Sequence, residues 1–183
     1  MEPIRISHLK FSVLLVAVLV WFLTSALSAQ ATPPNSGKEL IDAASKGDAV
    51  KVKALLDQGV KVDYPDERGL TALMWASIRA HAPVVEVLLA QGAKVDLQSK
   101  NGGTALLGAA LNKNPEVINM LFARSAEVNH QNDGGVTVLI NASFQGYVEV
   151  VKILLAHGAE INHQDEHGFT ALLMASMVGT WKW

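Results

Sequence analysis

The residues best placed by type to do chemistry in this chain include its histidines, carboxylates and hydroxyls. "HQDEH", His163 to His167, gathers two imidazoles and two carboxylates, residue types that can bind zinc. His130 stands 33 residues before His163. A zinc ion needs its ligands within about 2.0–2.2 Å, oriented by further hydrogen bonds. Two histidines on adjacent packed units stand roughly 10 Å apart, so this spacing does not converge on one ion. The chain has no cysteine, which removes thiolate ligands, a thiol nucleophile, disulfides and a lipid-modified cysteine. It has no G-x-S-x-G, no H-E-x-x-H and no phosphate-cradling glycine loop, and no spacing sets Ser143 or Ser176 with a histidine as a triad. The expectation is no catalytic residue, no cofactor and no metal, with metal binding at the polar loops as the weakest alternative.

The elements that position these residues come from an internal period. "GLTALMWAS" from Gly69, "GGTALLGAA" from Gly102, "GVTVLINAS" from Gly135 and "GFTALLMAS" from Gly168 align without a gap. Thr71, Thr104, Thr137 and Thr170 are 33 residues apart, as are Leu73, Leu106, Leu139 and Leu172, and Ala76, Ala109, Ala142 and Ala175. A second apolar run follows at the same period, through Leu55-Leu56, Leu88-Leu89, Leu121-Phe122 and Leu154-Leu155. Threonine opens a helix by capping an orphan N–H, and small alanines let a neighbouring helix approach. Pro83 suits a first helical turn, and Gly92 ends that helix in the left-handed conformation. Ser125 takes the place of Gly59, Gly92 and Gly158, at a cost of about 1 kcal/mol relative to glycine. Between units lie "VDYPDERG", "VDLQSKNG", "VNHQNDGG" and "INHQDEHG", whose Asn, Asp and Gly read as protruding hairpin tips. Each unit is thus two short antiparallel helices and a hairpin, and stacking must supply the core.

These motifs, G-x-T-A-L-x-x-A, then V-V-x-x-L-L-x-x-G-A, then V-N/D, resemble the ankyrin repeat. The resemblance covers residues 37–183, divided as 37–65, 66–98, 99–131, 132–164 and a partial 165–183. It departs from the common T-P-L-H in having TALM, TALL, TVLI and TALL. The first unit has Lys38 in place of the threonine, and Asp42, Lys46, Lys51 and Lys53 make the polar face of an N-terminal cap. The fold expected is an all-α repeat solenoid of about four full repeats plus an incomplete fifth.

What the resemblance implies is binding of a protein partner without chemistry, over the hairpin tips and the concave face of the first helices. Counting from each threonine, the fourth, seventh and eighth residues point into the concavity. They nominate Trp75, Ile78, Arg79, Leu111, Asn112, Asn141, Phe144, Gln145 and Met177 as contacts. On the tips the candidates are Tyr64, Asp66, Arg68, His130, Asp133, His163 and Glu166. The seventh-residue series, Ser45, Ile78, Leu111, Phe144 and Met177, is apolar beyond the cap unit. It reads either as an interaction stripe or as side chains leaning on the next helix.

The N-terminus sets the compartment. "MEPIRISHLK" carries Arg5 and Lys10, "FSVLLVAVLVWFL" is an apolar run from Phe11 to Leu23, and "TSALSAQA" follows. This is the order of a secretory signal, residues 1–31, cleaved after Ala31, with residues 32–36 as a linker. The alternative is an uncleaved anchor over residues 11–27, although a span needs about 20 apolar residues. Signal and array together resemble the small periplasmic ankyrin-repeat proteins of Gram-negative bacteria. The function expected is a periplasmic or secreted adaptor or stabiliser of a partner protein, the alternative a self-associating structural array. A formal charge of −2, with both signs interspersed, gives no basic footprint for nucleic acid. Membrane contact is expected only through an uncleaved signal.

"GFTALLMASMVGTWKW", from Gly168, is read as a hairpin end and one helix from Thr170 to about Val178, with Gly179 at the place of Gly146. Three expectations attach to it: a piece of a longer chain, closure of an open end against another chain, or a makeshift cap by Trp181 and Trp183.

Overall fold

The computed structural model describes residues 35–180, with side-chain surroundings as far as Met177. The signal over residues 1–31, the alternative anchor, most of the linker and the two terminal tryptophans lie outside the described residues. Among those described, no helix is long and apolar enough to cross a membrane.

Nine helices follow one another among the described residues. The first of each pair are α1 (Ser36–Lys46), α3 (Ala72–Ile78), α5 (Ala105–Leu111), α7 (Val138–Phe144) and α9 (Ala171–Thr180). The second are α2 (Ala49–Asp57), α4 (Ala82–Ala90), α6 (Pro115–Phe122) and α8 (Val148–Ala156). The architecture is the expected all-α repeat solenoid. α9 continues through Gly179 to Thr180, whereas α7 stops before Gly146.

The threonines start the inner helices as their spacing requires. Oγ1 of Thr71, Thr104, Thr137 and Thr170 accepts the N–H of Met74, Leu107, Ile140 and Leu173 at 3.2–3.4 Å. This satisfies a donor that the helix cannot. Asp48 and Asn114 cap α2 and α6 in the same way. In the first unit α1 begins at Ser36 and has no side-chain cap, so Lys38 lies inside its first turn.

Helices α3, α5 and α7 have seven residues each, far below the roughly 12–15 that an isolated helix needs in water. Stacking holds them. Leu73, Leu106 and Leu139 are each 2% exposed, and Ala76, Ala109 and Ala142 no more than that. Val84, Val85 and Leu88, then Val117, Ile118 and Leu121, then Val150 and Leu154 fill the layer between inner and outer helices. Each large aliphatic buried this way contributes about 1.5–3 kcal/mol of transfer free energy. The inner helices stack on one another along the array, and their side away from the outer helices is the face that the ankyrin resemblance expects to be concave.

Left-handed residues turn the chain at three places in the repeat, one of them the tip glycines Gly69, Gly102, Gly135 and Gly168 with φ of 70–77°. Gly47, Ala80, Lys113 and Gly146 join inner to outer helix with φ of 79°, 60°, 53° and 70°. Gly59, Gly92, Ser125 and Gly158 end the outer helix with φ of 86°, 80°, 61° and 84°. Ser125 adopts the left-handed conformation expected of it. Ala80 and Lys113 do so as well.

Candidate interaction surface

The tips are built by one residue per unit. Asp66 Oδ1 accepts from the N–H groups of Arg68 and Leu70, Asn132 Oδ1 from Gly134 and Val136, and Asp165 Oδ1 from His167 and Phe169, all at 2.8–3.0 Å. Ser99 Oγ accepts from Gly103 at 3.0 Å. Each turn is also closed by a backbone pair, such as Asp66 N–H to the Leu70 carbonyl and Ser99 N–H to the Gly103 carbonyl. These are side-chain-braced turns of the kind that Asp, Asn and Ser favour.

Successive tips are tied together. Asp63, Asp96 and Asn129, 33 residues apart, accept from the backbone N–H of Lys94, Glu127 and Glu160 in the following unit at 2.8–3.1 Å. His130 and His163 lie close, through Nε2, to the carbonyls of Gly102 and Gly135 at 2.9 and 2.8 Å, each reaching back into the preceding tip. His81 reaches the Ser45 carbonyl at 3.1 Å across the first junction. The ring nitrogen must carry the proton in each case, since a carbonyl only accepts. The tip histidines are therefore half-buried links between units. Among the described residues no group of three or more His, Asp or Glu side chains is placed to hold a metal ion.

Four further sequence candidates are engaged within the array. Tyr64 is half-buried, its ring lying over Gly37 so closely that a Cβ there would run into the ring. Asp66 also accepts from Trp75 Nε1 at 3.0 Å. Burial opposes the charge on its carboxyl. The hydrogen bonds from Trp75, Leu70 and Arg68, with the Arg68 charge, outweigh that burial and hold its pKa below the usual value. Asn112 Nδ2 donates to the Ile78 carbonyl at 2.8 Å. Asn141 is half-buried, and its amide oxygen is turned inward without a hydrogen-bond partner.

The apolar series on the concave face divides. Ile78 is half-buried because it leans on Gly108, where an added Cβ would come 2.8 Å from Ile78 Cγ1. The glycine makes the seat that covers it. Leu111, Phe144 and Met177 stand 44%, 49% and 40% exposed on three consecutive inner helices. Arg79, Asn112 and Gln145 are exposed beside them, and the Arg79 guanidinium lies 6.0 Å from the Trp75 ring centroid. Lys113 Nζ sits 4.3 Å over the Tyr147 ring. On the tip side Glu67, Arg68, Lys100, Asp133 and Glu166 are exposed.

A 33-residue unit of two antiparallel helices and a braced hairpin, stacked in register, agrees with the sequence match. Residues 40–132 and 106–180 each match the family model of ankyrin repeats in three copies. The chain belongs to the ankyrin-repeat family. A comparison with curated proteins finds no relative. Ankyrin repeats are generally protein–protein interaction modules. Sequence reading missed the Asp63–Asp96–Asn129 links. Their 33-residue recurrence was visible, but a recurring polar residue on a turn reads equally as solvated.

Proposed function

We propose that the mature chain works outside the cytoplasm as a non-catalytic adaptor that grips a protein partner on its concave ankyrin face and stabilises it. The observation that carries this reading is the exposure of Leu111 and Phe144, at 44% and 49%, on neighbouring inner helices of a stacked array. Apolar side chains at matching positions give a contiguous surface of the sort that marks interaction sites, and aromatic anchors dominate such contacts. The signal-like residues 1–31 support export, and interspersed charge supports a protein partner over nucleic acid.

The test is capture of a partner from the periplasm of the source cell, repeated with Phe144→Ser and Leu111→Ser. Loss of the captured protein with an unchanged melting temperature is expected. A steep drop in melting temperature would show that these side chains hold the array instead. Sequencing the N-terminus of the exported protein checks the compartment: Thr32 is expected first, and an intact Met1 in the membrane fraction favours anchoring by residues 11–27.

A second reading, association between chains, rests on the last unit. Leu172 is 73% exposed, whereas Leu139 one unit earlier is 2% exposed. An apolar groove of about 130 Å³ runs beside it, lined by Leu139, Val151, Leu155, Ile161, Leu172 and Ala175 among others. Light scattering decides: a dimer that Leu172→Glu dissociates favours this reading, and a monomer favours the adaptor.

A further inference from the structure

The groove at the last unit has three filled counterparts in the same chain. It is lined by residues of α7, α8 and α9 and by Ile161. One, two and three units earlier, the positions that match its lining residues are all buried or half-buried. In the last unit Leu155, Ile161, Leu172 and Ala175 stand exposed. The positions are the same in the repeat, and what differs is the cover.

The cover in each earlier case is an outer helix. α4 packs on α2 and α3, α6 on α4 and α5, and α8 on α6 and α7. These three helices share a pattern. Val84 and Leu88, Val117 and Leu121, and Val150 and Leu154 stand four apart, on one helical face, and all six are buried. Four residues after each leucine comes a left-handed residue, Gly92, Ser125 or Gly158. Six residues after it comes a backbone N–H, of Lys94, Glu127 or Glu160, that Asp63, Asp96 or Asn129 of the preceding unit accepts. Asn162 is the next of these acceptors at the 33-residue step and is exposed.

The open groove and Asn162 therefore match one kind of segment. It is a helix with aliphatic residues at i and i+4, a left-handed turn at i+8 and a backbone N–H at i+10. An extended segment would set unpaired backbone groups against a largely aliphatic wall, whereas a helix satisfies its own. In a second copy of the chain the helices of this pattern, α4, α6 and α8, are already packed within their own array. The segment therefore belongs to a different polypeptide.

We propose that the last unit is a docking site that receives an amphipathic helix of the pattern V-x-x-x-L from a protein partner. The helix lies against α8 and α9 as α8 lies against α6 and α7, and the N–H six residues beyond its leucine is given to Asn162. This site is the end of the array and does not depend on the concave-face reading. It assigns to a partner helix the surface that the second reading assigns to another copy of the chain.

The probe is the chain's own α8 segment as a free peptide, residues 147–162, which carries the whole pattern. Its binding to the full chain is read by fluorescence anisotropy and its helicity by circular dichroism. The chain is used unchanged and with Leu172→Glu, Ala175→Glu, Asn162→Ala or Phe144→Ser, each variant checked by its melting temperature. The expected result is binding with a gain of helix, lost tenfold or more on Leu172→Glu and on Ala175→Glu, several-fold on Asn162→Ala, and not at all on Phe144→Ser. A peptide carrying Val150→Ser and Leu154→Ser should not bind. Binding that survives both glutamate variants overturns the site, and so does binding that depends on Phe144. A peptide that does not bind, while the chain forms a dimer that Leu172→Glu dissociates, overturns the helix and leaves self-association standing. A peptide that does not bind a monomeric chain overturns the proposal and the second reading together.

Discussion

Three residues other than glycine hold left-handed turns that glycine holds elsewhere in the same array, and they allow a graded stability test. Ala80, Lys113 and Ser125 have φ of 60°, 53° and 61°. A side chain in this region costs roughly 1–2 kcal/mol. Replacing it with glycine removes that cost but gives the unfolded chain more freedom, worth about 0.4–1 kcal/mol against the fold. The balance is a gain of about 0.5–1 kcal/mol per site. Ser125 is exposed and has little packing to lose, so Ser125→Gly should show the full gain. The half-buried methyl of Ala80 takes back part of it. Lys113 carries a second term, since its Nζ lies 4.3 Å over the Tyr147 ring. An exposed cation–π contact is worth about 0.5–1 kcal/mol, so Lys113→Gly should come out near zero. Ser125 and Ala80 lie in different units and share no partner, so their gains should add. The assay is equilibrium urea unfolding followed by tryptophan fluorescence and far-UV circular dichroism, with melting temperature as a check. At about 2–4 °C per kcal/mol, the double variant should melt a few degrees higher. Destabilisation by Ser125→Gly would refute the argument that these turns carry backbone strain. A gain at Lys113 equal to that at Ser125 would refute the contribution of the Tyr147 contact.

Other outcomes follow from the links between units and from the tip carboxylate. Asp96→Ala removes the acceptor for the Glu127 N–H at 2.9 Å and should cost about 0.5–1.5 kcal/mol in urea unfolding, as should Asn129→Ala. Asp66 has a lowered pKa in the folded chain, so the unfolded state binds more protons in acid. Its stabilisation is present above the ordinary value of 3.8 and is lost as pH falls through the folded value. Wild-type stability should therefore decline from about pH 5 downward, with a shallower decline in Asp66→Asn and in Trp75→Phe, read from unfolding midpoints across pH. Gly108→Ala should destabilise the array, because the new Cβ meets Ile78 Cγ1 at 2.8 Å, and the same change should cost less in an Ile78→Ala background, which lacks that atom.

The sequence by itself determined the architecture, because the period, the threonine caps and the turn residues are local. A threonine accepts a hydrogen bond from three residues on, and an Asp or Asn braces the turn it begins, whatever lies beyond. Identical spacing then forces identical units, and units too short to be stable alone must stack. The fate of the concave series was settled by tertiary neighbours instead. Ile78, Leu111 and Phe144 occupy one position of the repeat, yet Ile78 is half-buried and the others stand out. The difference lies 30 residues away, in a glycine at position 108 that gives Ile78 a seat on the adjacent helix. The same holds for His130 and His163, which read along the chain as partner contacts on the tips. In three dimensions they link to the carbonyls of Gly102 and Gly135, because stacking brings each ring against the hairpin before it. Caps and turns depend on residues within four positions, so spacing exposes them. Exposure on a stacked array depends on what the neighbouring unit places opposite, and only the packed structure contains that.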